Sequence, residues 1–168
     1  MAQFSVGRRE PLAYVGLPVA TTMDAIPEAV GAGFAQLDAY AEQRGMDLTG
    51  VSFIRYRDVS FDDPFVMEVA LELADTPQQP VVREPFVLDT LPGGHFAIAQ
   101  QRGPYAWIGG LTRELMDWGR VRGLDYAVTP GVDGPDSWEC WYELYPEPPV
   151  EGAQGLEGPV EVCLLLRP

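Results

Sequence analysis

Residues 37–48, LDAYAEQRGMDL, align with residues 115–126, LMDWGRVRGLDY, at an offset of 78. A leucine, an aromatic (Tyr40 and Trp118), an Arg-Gly pair (44–45 and 122–123), an apolar residue and an aspartate all match. The same offset sets VGLPVATT (15–22) on GGHFAIAQ (93–100). With insertions, VSFIRYRD (51–58) answers WECWYELY (138–145), and FVMEVALEL (65–73) answers PVEVCLLL (159–166). The matches are short, but their order is kept along the chain. Such self-similarity indicates a duplicated unit, and two copies of one unit must bury their apolar faces together.

Each copy reads strand, strand, helix, strand, strand. In the first, residues 3–9 and 13–22 alternate as strands, and Pro11 separates them. Residues 25–44 have helical periodicity: Ile26, Val30, Phe34, Leu37 and Tyr40/Ala41 recur on one face, which should meet a sheet. Asp24 suits the N-cap, Pro27 and Glu28 the first turn, and Gly45 the C-terminal stop. Strands at 51–57 and 65–73 complete the unit. The second copy has strands at 85–91 and 94–101, a helix at 105–120, and strands at 138–145 and 159–166. TPGVDGPDS and PEPPVEGAQGLEGP between them are loops. The expectation is an α+β fold in one domain spanning 1–168. Pseudo-repeats of about 1–75 and 85–168 would build an antiparallel sheet, with a central ligand cleft where they join.

Composition narrows the partners. With 46% hydrophobic and 21% charged residues the chain reads as a soluble globular protein. It holds no apolar run long enough for a membrane span, and the start, MAQFSVGRREP, lacks the apolar stretch of a secretory signal. A cytoplasmic location follows as the expectation. Cys140 and Cys163 lie in apolar strand-like runs and read as reduced core residues. The net charge of −14 argues against direct nucleic-acid binding, which relies on Lys and Arg, and an acidic field favours cationic small molecules. Solubility alone would also account for it. All 11 basic residues are arginines.

Within WECWYELYPEPP (138–149), alternation turns Trp141, Glu143 and Tyr145 to one face and Cys140, Tyr142 and Leu144 to the other. The second set suits packing under a helix. A carboxylate between two large rings is costly if dry and unpaired, so Glu143 is either solvated or meets a cation or a proton donor. Aromatic walls around a carboxylate suit lipophilic cations, and the same burial would raise the carboxyl pKa toward that of a general base. Glu161, on LLL-containing strand 159–166, and Glu68 and Glu72, on 65–73, read as solvent-facing. In RGPYAWIGGL (102–111), Gly103-Pro104 breaks the chain before a helix. Tyr105 and Trp107 fall in its first turn, where they roof a cleft or staple the helix start. His95, the single histidine, has no companions at metal-ligand spacing, and no nucleophile elbow or phosphate loop is present. No cofactor is called for.

These stretches together resemble the gyrase-inhibitor-like (GyrI-like) small-molecule-binding family. The resemblance rests on Tyr14-Val15-Gly16, on Gly103-x-Tyr105 followed by Leu111, and on Tyr142-Glu143-x-Tyr145-Pro146. It implies a pseudo-twofold pair of modules enclosing a cleft into which Glu143 points to engage cationic aromatic compounds, with Pro104 and Tyr105 beside it. Because no DNA-binding segment precedes the domain, the chain resembles a stand-alone member of a family that includes effector-binding domains of multidrug-responsive regulators.

The leading expectation is a binding module for bulky, planar, lipophilic, often cationic molecules. Trp107, Trp141, Tyr145 and Tyr105 would supply stacking surface. From the first copy, Phe53 and Tyr56 are the lining, and strand register decides which points inward. The alternative, which the resemblance to stand-alone relatives implies, is a hydrolase that opens cyclopropane rings of DNA-alkylating natural products, with Glu143 as general base and Tyr145 or Tyr142 holding the electrophile's oxygen. A third class is an interaction protein that inhibits DNA gyrase, which acids clustered on one outer face would favour.

Overall fold

The computed structural model describes residues 1–75 and 80–168. Ten strands form one curled antiparallel sheet, a half-barrel, with two helices. In chain order the elements are β1 (Gln3–Arg9), β2 (Leu12–Thr21), α1 (Ile26–Gln43), β3 (Leu48–Asp58) and β4 (Phe65–Leu73). There follow β5 (Val87–Leu91), β6 (Gly94–Pro104), α2 (Ile108–Val121), β7 (Val128–Thr129), β8 (Ser137–Tyr145), β9 (Val150–Gly152) and β10 (Gly155–Leu165).

The strand order is β1-β6-β10-β8-β3-β4-β2-β5, with β7 beside β8 and β9 beside β10. This order is a palindrome of the duplicated unit. The third strands of the two copies, β3 and β8, pair at the centre, and the fourth strands, β4 and β10, flank them. The first strands are exchanged: β1 pairs with β6 of the second copy, and β5 with β2 of the first. Each half therefore supplies the outer strand of the other.

Local chemistry accounts for the helices. Pro27 opens α1, where its missing N–H costs nothing, and Gly45 ends it at φ +61, a left-handed conformation that glycine adopts freely. Asp24 is not the N-cap expected of it. A short 3-10 turn, Met23–Ala25, precedes α1 and takes Asp24 into its own first turn. A second 3-10 turn, Tyr105–Trp107, likewise starts α2 later than expected. Gly33 lets α1 approach the sheet closely, since a Cβ there would come within 3.1 Å of Val19 and Val69. Leu37 and Leu115, one from each helix, are fully buried on the sheet, and each contributes roughly 1.5–3 kcal/mol of burial. No helix among the described residues is long and apolar enough to cross a membrane.

Both sheet faces are packed. On one, α1 and α2 join Val15, Met67, Val69, Val162 and Leu164 in the larger core. On the other, the curl of the sheet brings Tyr14, Phe53, Phe96 and Tyr142 together with Cys140 and Cys163. Phe53 meets Tyr14 edge-on at 4.9 Å and Tyr142 at 5.9 Å, so this second core is aromatic. Both cysteines are free and buried.

Candidate functional site

The alternation expected along β8 is present, but the helices cover the other side from the one expected. Tyr142 and Cys140 pack inside the curl, whereas Tyr145 shares its core with α1 and α2. The reason is long-range. Each helix docks on the second and fourth strands of its own copy, and the chain passes to that side in both. Glu143 therefore lies on the helix-covered face, on the central strand pair between the two helix-bearing halves.

Its immediate neighbours across the sheet are apolar. Ile54 on β3 and Val162 on β10 are the register partners of Glu143. The residue is 7% exposed, and no arginine or histidine pairs with it among the described residues. Its contacts are two phenols: Tyr145 Oη donates to Oε2 at 2.9 Å, and Tyr56 Oη donates to the same oxygen at 3.4 Å. No protein donor reaches Oε1 among the described residues.

Burial in this apolar setting raises the Glu143 carboxyl to about 7, against the smaller opposing effect of the two phenol hydrogen bonds. The same burial, reinforced by the neighbouring carboxylate, holds Tyr145 and Tyr56 well above the usual phenol range. They stay protonated and serve as donors. Near neutral pH the carboxyl stands close to its midpoint, able either to give or to take a proton.

A line of rings extends from the carboxyl in both directions. On one side Tyr145 lies 5.1 Å from Tyr105. On the other, Tyr56 lies 4.8 Å from Trp141, and Trp141 lies 5.5 Å from Trp138, which in turn is 5.9 Å from Tyr126. Trp138 and Tyr126 were not among the residues expected here. Trp138 belongs to the line through a break in register, Tyr56 facing Trp141 while Asp58 faces Ser137, and simple alternation gives no sign of it. The indole N–H of Trp141 and the hydroxyl of Tyr105 are both buried without a hydrogen-bond partner among the described residues.

The structure decides between Phe53 and Tyr56. Tyr56 faces Glu143, and Phe53 points into the opposite core, away from the carboxyl. Tyr142 is turned away with it, which leaves Tyr145 and Tyr56 as the phenols at the carboxyl. Pro104 is buried at the end of β6 and directs the chain into the turn that carries Tyr105 to Tyr145. Trp107, at the end of that turn, is 46% exposed and lies flat on Gly103, where a Cβ would come within 2.7 Å of the indole. It stands apart from the line of rings around Glu143. Two of the three glutamates expected to face solvent are instead paired. Glu68 accepts from Tyr14 Oη at 2.5 Å and meets Arg57, and Glu161 binds Arg9 at 2.8 Å. Glu72 accepts from Thr49 in an exposed setting.

No family model matches the sequence, and no curated protein matches it. Solved structures do. EcmrR, in complex with DNA, is similar with a TM-score of 0.66 at 12% identity, over 99% of this chain. The chain spans 57% of the length of that EcmrR chain. SAV2435, bound to tetraphenylphosphonium, has a TM-score of 0.57 at 14% identity, over 98% of this chain and 94% of its own. A hydrolase from Listeria innocua has a TM-score of 0.57 at 12% identity, over 98% and 92%. Together with the strand order and the paired helices, these likenesses establish that the chain has the GyrI-like fold.

Proposed function

We propose that this protein captures bulky, lipophilic, often planar cations on the face between its helices, with Glu143 as the anionic floor. One observation carries the reading: a buried carboxyl with no cation of its own. A protein charge kept for structure alone is ordinarily paired, because an unpaired one costs stability. Among the described residues its only partners are two phenols bound to one oxygen, and none reaches the other, which a ligand could meet. Tyr56, Trp141, Tyr145 and Tyr105 offer ring faces on both sides, which attract delocalised positive charge. The likeness to SAV2435, a protein bound to tetraphenylphosphonium, supports the choice of ligand class.

Binding requires a rearrangement. Tyr56 and Tyr145 are 5% and 7% exposed and close over the carboxyl, so a ligand enters only as these rings turn aside. Tetraphenylphosphonium titrated against the wild type and Glu143→Gln tests the proposal. The substitution keeps the volume and removes the charge. Affinity is expected to fall by roughly 1–4 kcal/mol, the Coulomb energy of a close ion pair between bulk water and a protein surface. A neutral probe of equal size should be little affected. Unchanged cation affinity would overturn the reading.

A second reading has its own support in the carboxyl's value of about 7 beside two protonated phenols. Glu143 would take the proton from a water whose oxygen bonds to a cyclopropane carbon as a ring C–C bond breaks, and the released electron pair passes to a conjugated carbonyl oxygen held by Tyr145 or Tyr56. With a neutral cyclopropane-bearing substrate, Glu143→Gln should then lower turnover by roughly 10²–10⁴-fold and leave binding in place.

A further inference from the structure

The unpaired indole N–H of Trp141 makes a demand that a purely hydrocarbon cation does not meet. An indole nitrogen donates one hydrogen bond and accepts none. Left dry and unpaired, such a donor costs about as much as a lost hydrogen bond. Trp141 is two residues from Glu143 on the same face of β8, so the two side chains leave the strand about two strand rises, roughly 7 Å, apart. At the other end the Tyr105 hydroxyl, which lies over Gly158 of β10, is buried and unpaired as well. Of the four donors around this carboxyl, Tyr56 and Tyr145 bind its Oε2, and Trp141 and Tyr105 have no partner among the described residues.

We propose that the ligand of this site carries a hydrogen-bond-accepting oxygen or nitrogen flanking its cationic centre, and that Trp141 Nε1–H donates to it. The inference rests on the reading of Glu143 as the cation's partner and adds the second point of recognition. A lipophilic cation with an ether, carbonyl or ring-nitrogen acceptor one aromatic ring away from its charge meets both groups at once. A second acceptor on the opposite side would reach Tyr105. Cations without acceptors bind through charge and ring contact only, and leave the indole unpaired.

The test uses two cations that differ in one atom, (4-methoxyphenyl)triphenylphosphonium and (4-ethylphenyl)triphenylphosphonium, in which an ether oxygen is exchanged for a methylene. The wild type should bind the methoxy compound about fivefold more tightly, within the range of one net hydrogen bond. The Trp141 indole N–H proton resonance should shift with the methoxy compound and far less with the ethyl one. In Trp141→Phe the preference should vanish while the ethyl compound still binds. If that variant fails to fold, the wild-type pair and the indole resonance decide alone. Equal wild-type affinities with no differential shift would overturn the acceptor assignment, leaving the indole N–H to the ring of Trp138. Failure of both compounds to bind would overturn the cation reading itself, and this inference with it.

Discussion

Glu143 and Arg55 stand on the two paired central strands, point to opposite faces of the sheet, and are almost equally buried, at 7% and 5% exposure. Their surroundings differ in kind. Arg55 donates to Tyr14 Oη at 3.1 Å and to the carbonyl of Glu139 at 3.2 Å, and approaches Asp89 at 3.7 Å. Tyr14 passes the interaction on to Glu68, which meets Arg57. Glu143 has two phenols and apolar neighbours. A guanidinium cannot shed its charge at any ordinary pH, so a buried arginine persists only where the fold supplies acceptors. A carboxyl can shed its charge by taking a proton, and a buried glutamate therefore tolerates an unmatched site. The pair contrasts a charge to which the fold supplies acceptors with one that meets no cation among the described residues.

If that contrast is right, the two residues should respond to removal with opposite sign. Arg55→Met is expected to destabilise the protein by roughly 3 kcal/mol, because it leaves Tyr14 and the Glu139 carbonyl without their buried donor. Urea denaturation measures this, and a cost below about 1 kcal/mol would place Arg55 outside the support of the fold.

Glu143→Gln should instead stabilise, and only where the wild-type carboxyl is ionised. The folded value of about 7 lies above the unfolded value of about 4.5, so the folded state holds its proton more tightly. Below pH 4.5 both states are protonated and the residue costs nothing. The penalty grows as pH rises toward 7 and is complete above it, at about 3 kcal/mol. Thermal unfolding at pH 8 should thus favour Glu143→Gln clearly, and at pH 4 wild type and variant should coincide. A pH-independent difference would contradict the raised carboxyl.

A weaker effect follows for the ligand. If cations bind at Glu143 as proposed, binding favours the ionised carboxyl and releases its proton. Affinity for tetraphenylphosphonium should therefore rise with pH below 7, by at most tenfold per unit or about 1.4 kcal/mol, and level off above. Titrations at pH 5.5, 6.5 and 8 would show it, and Glu143→Gln should flatten the profile.

Much of the fold is legible in the sequence. The repeated order of elements depends on short-range pattern: the period of α1, Pro27 and Gly45 at its ends, and the alternation that sets Trp141, Glu143 and Tyr145 on one side of β8. Each of these follows from the geometry of a single segment, and the sequence alone determined them. Other features depend on segments far apart in the chain. Which face the helices cover, the exchange of β1 and β5 between the halves, and the choice of Tyr56 over Phe53 all follow from how β3 and β8 pair and in what register. The place of Trp138 follows from a break in that register, and the carboxyl's raised value from Ile54 and Val162, which lie on two different strands. Alternation states that two sets of side chains part company; only the packed sheet assigns one set to the helices and the other to the curl, because burial is a property of what covers a face and not of the strand that bears it.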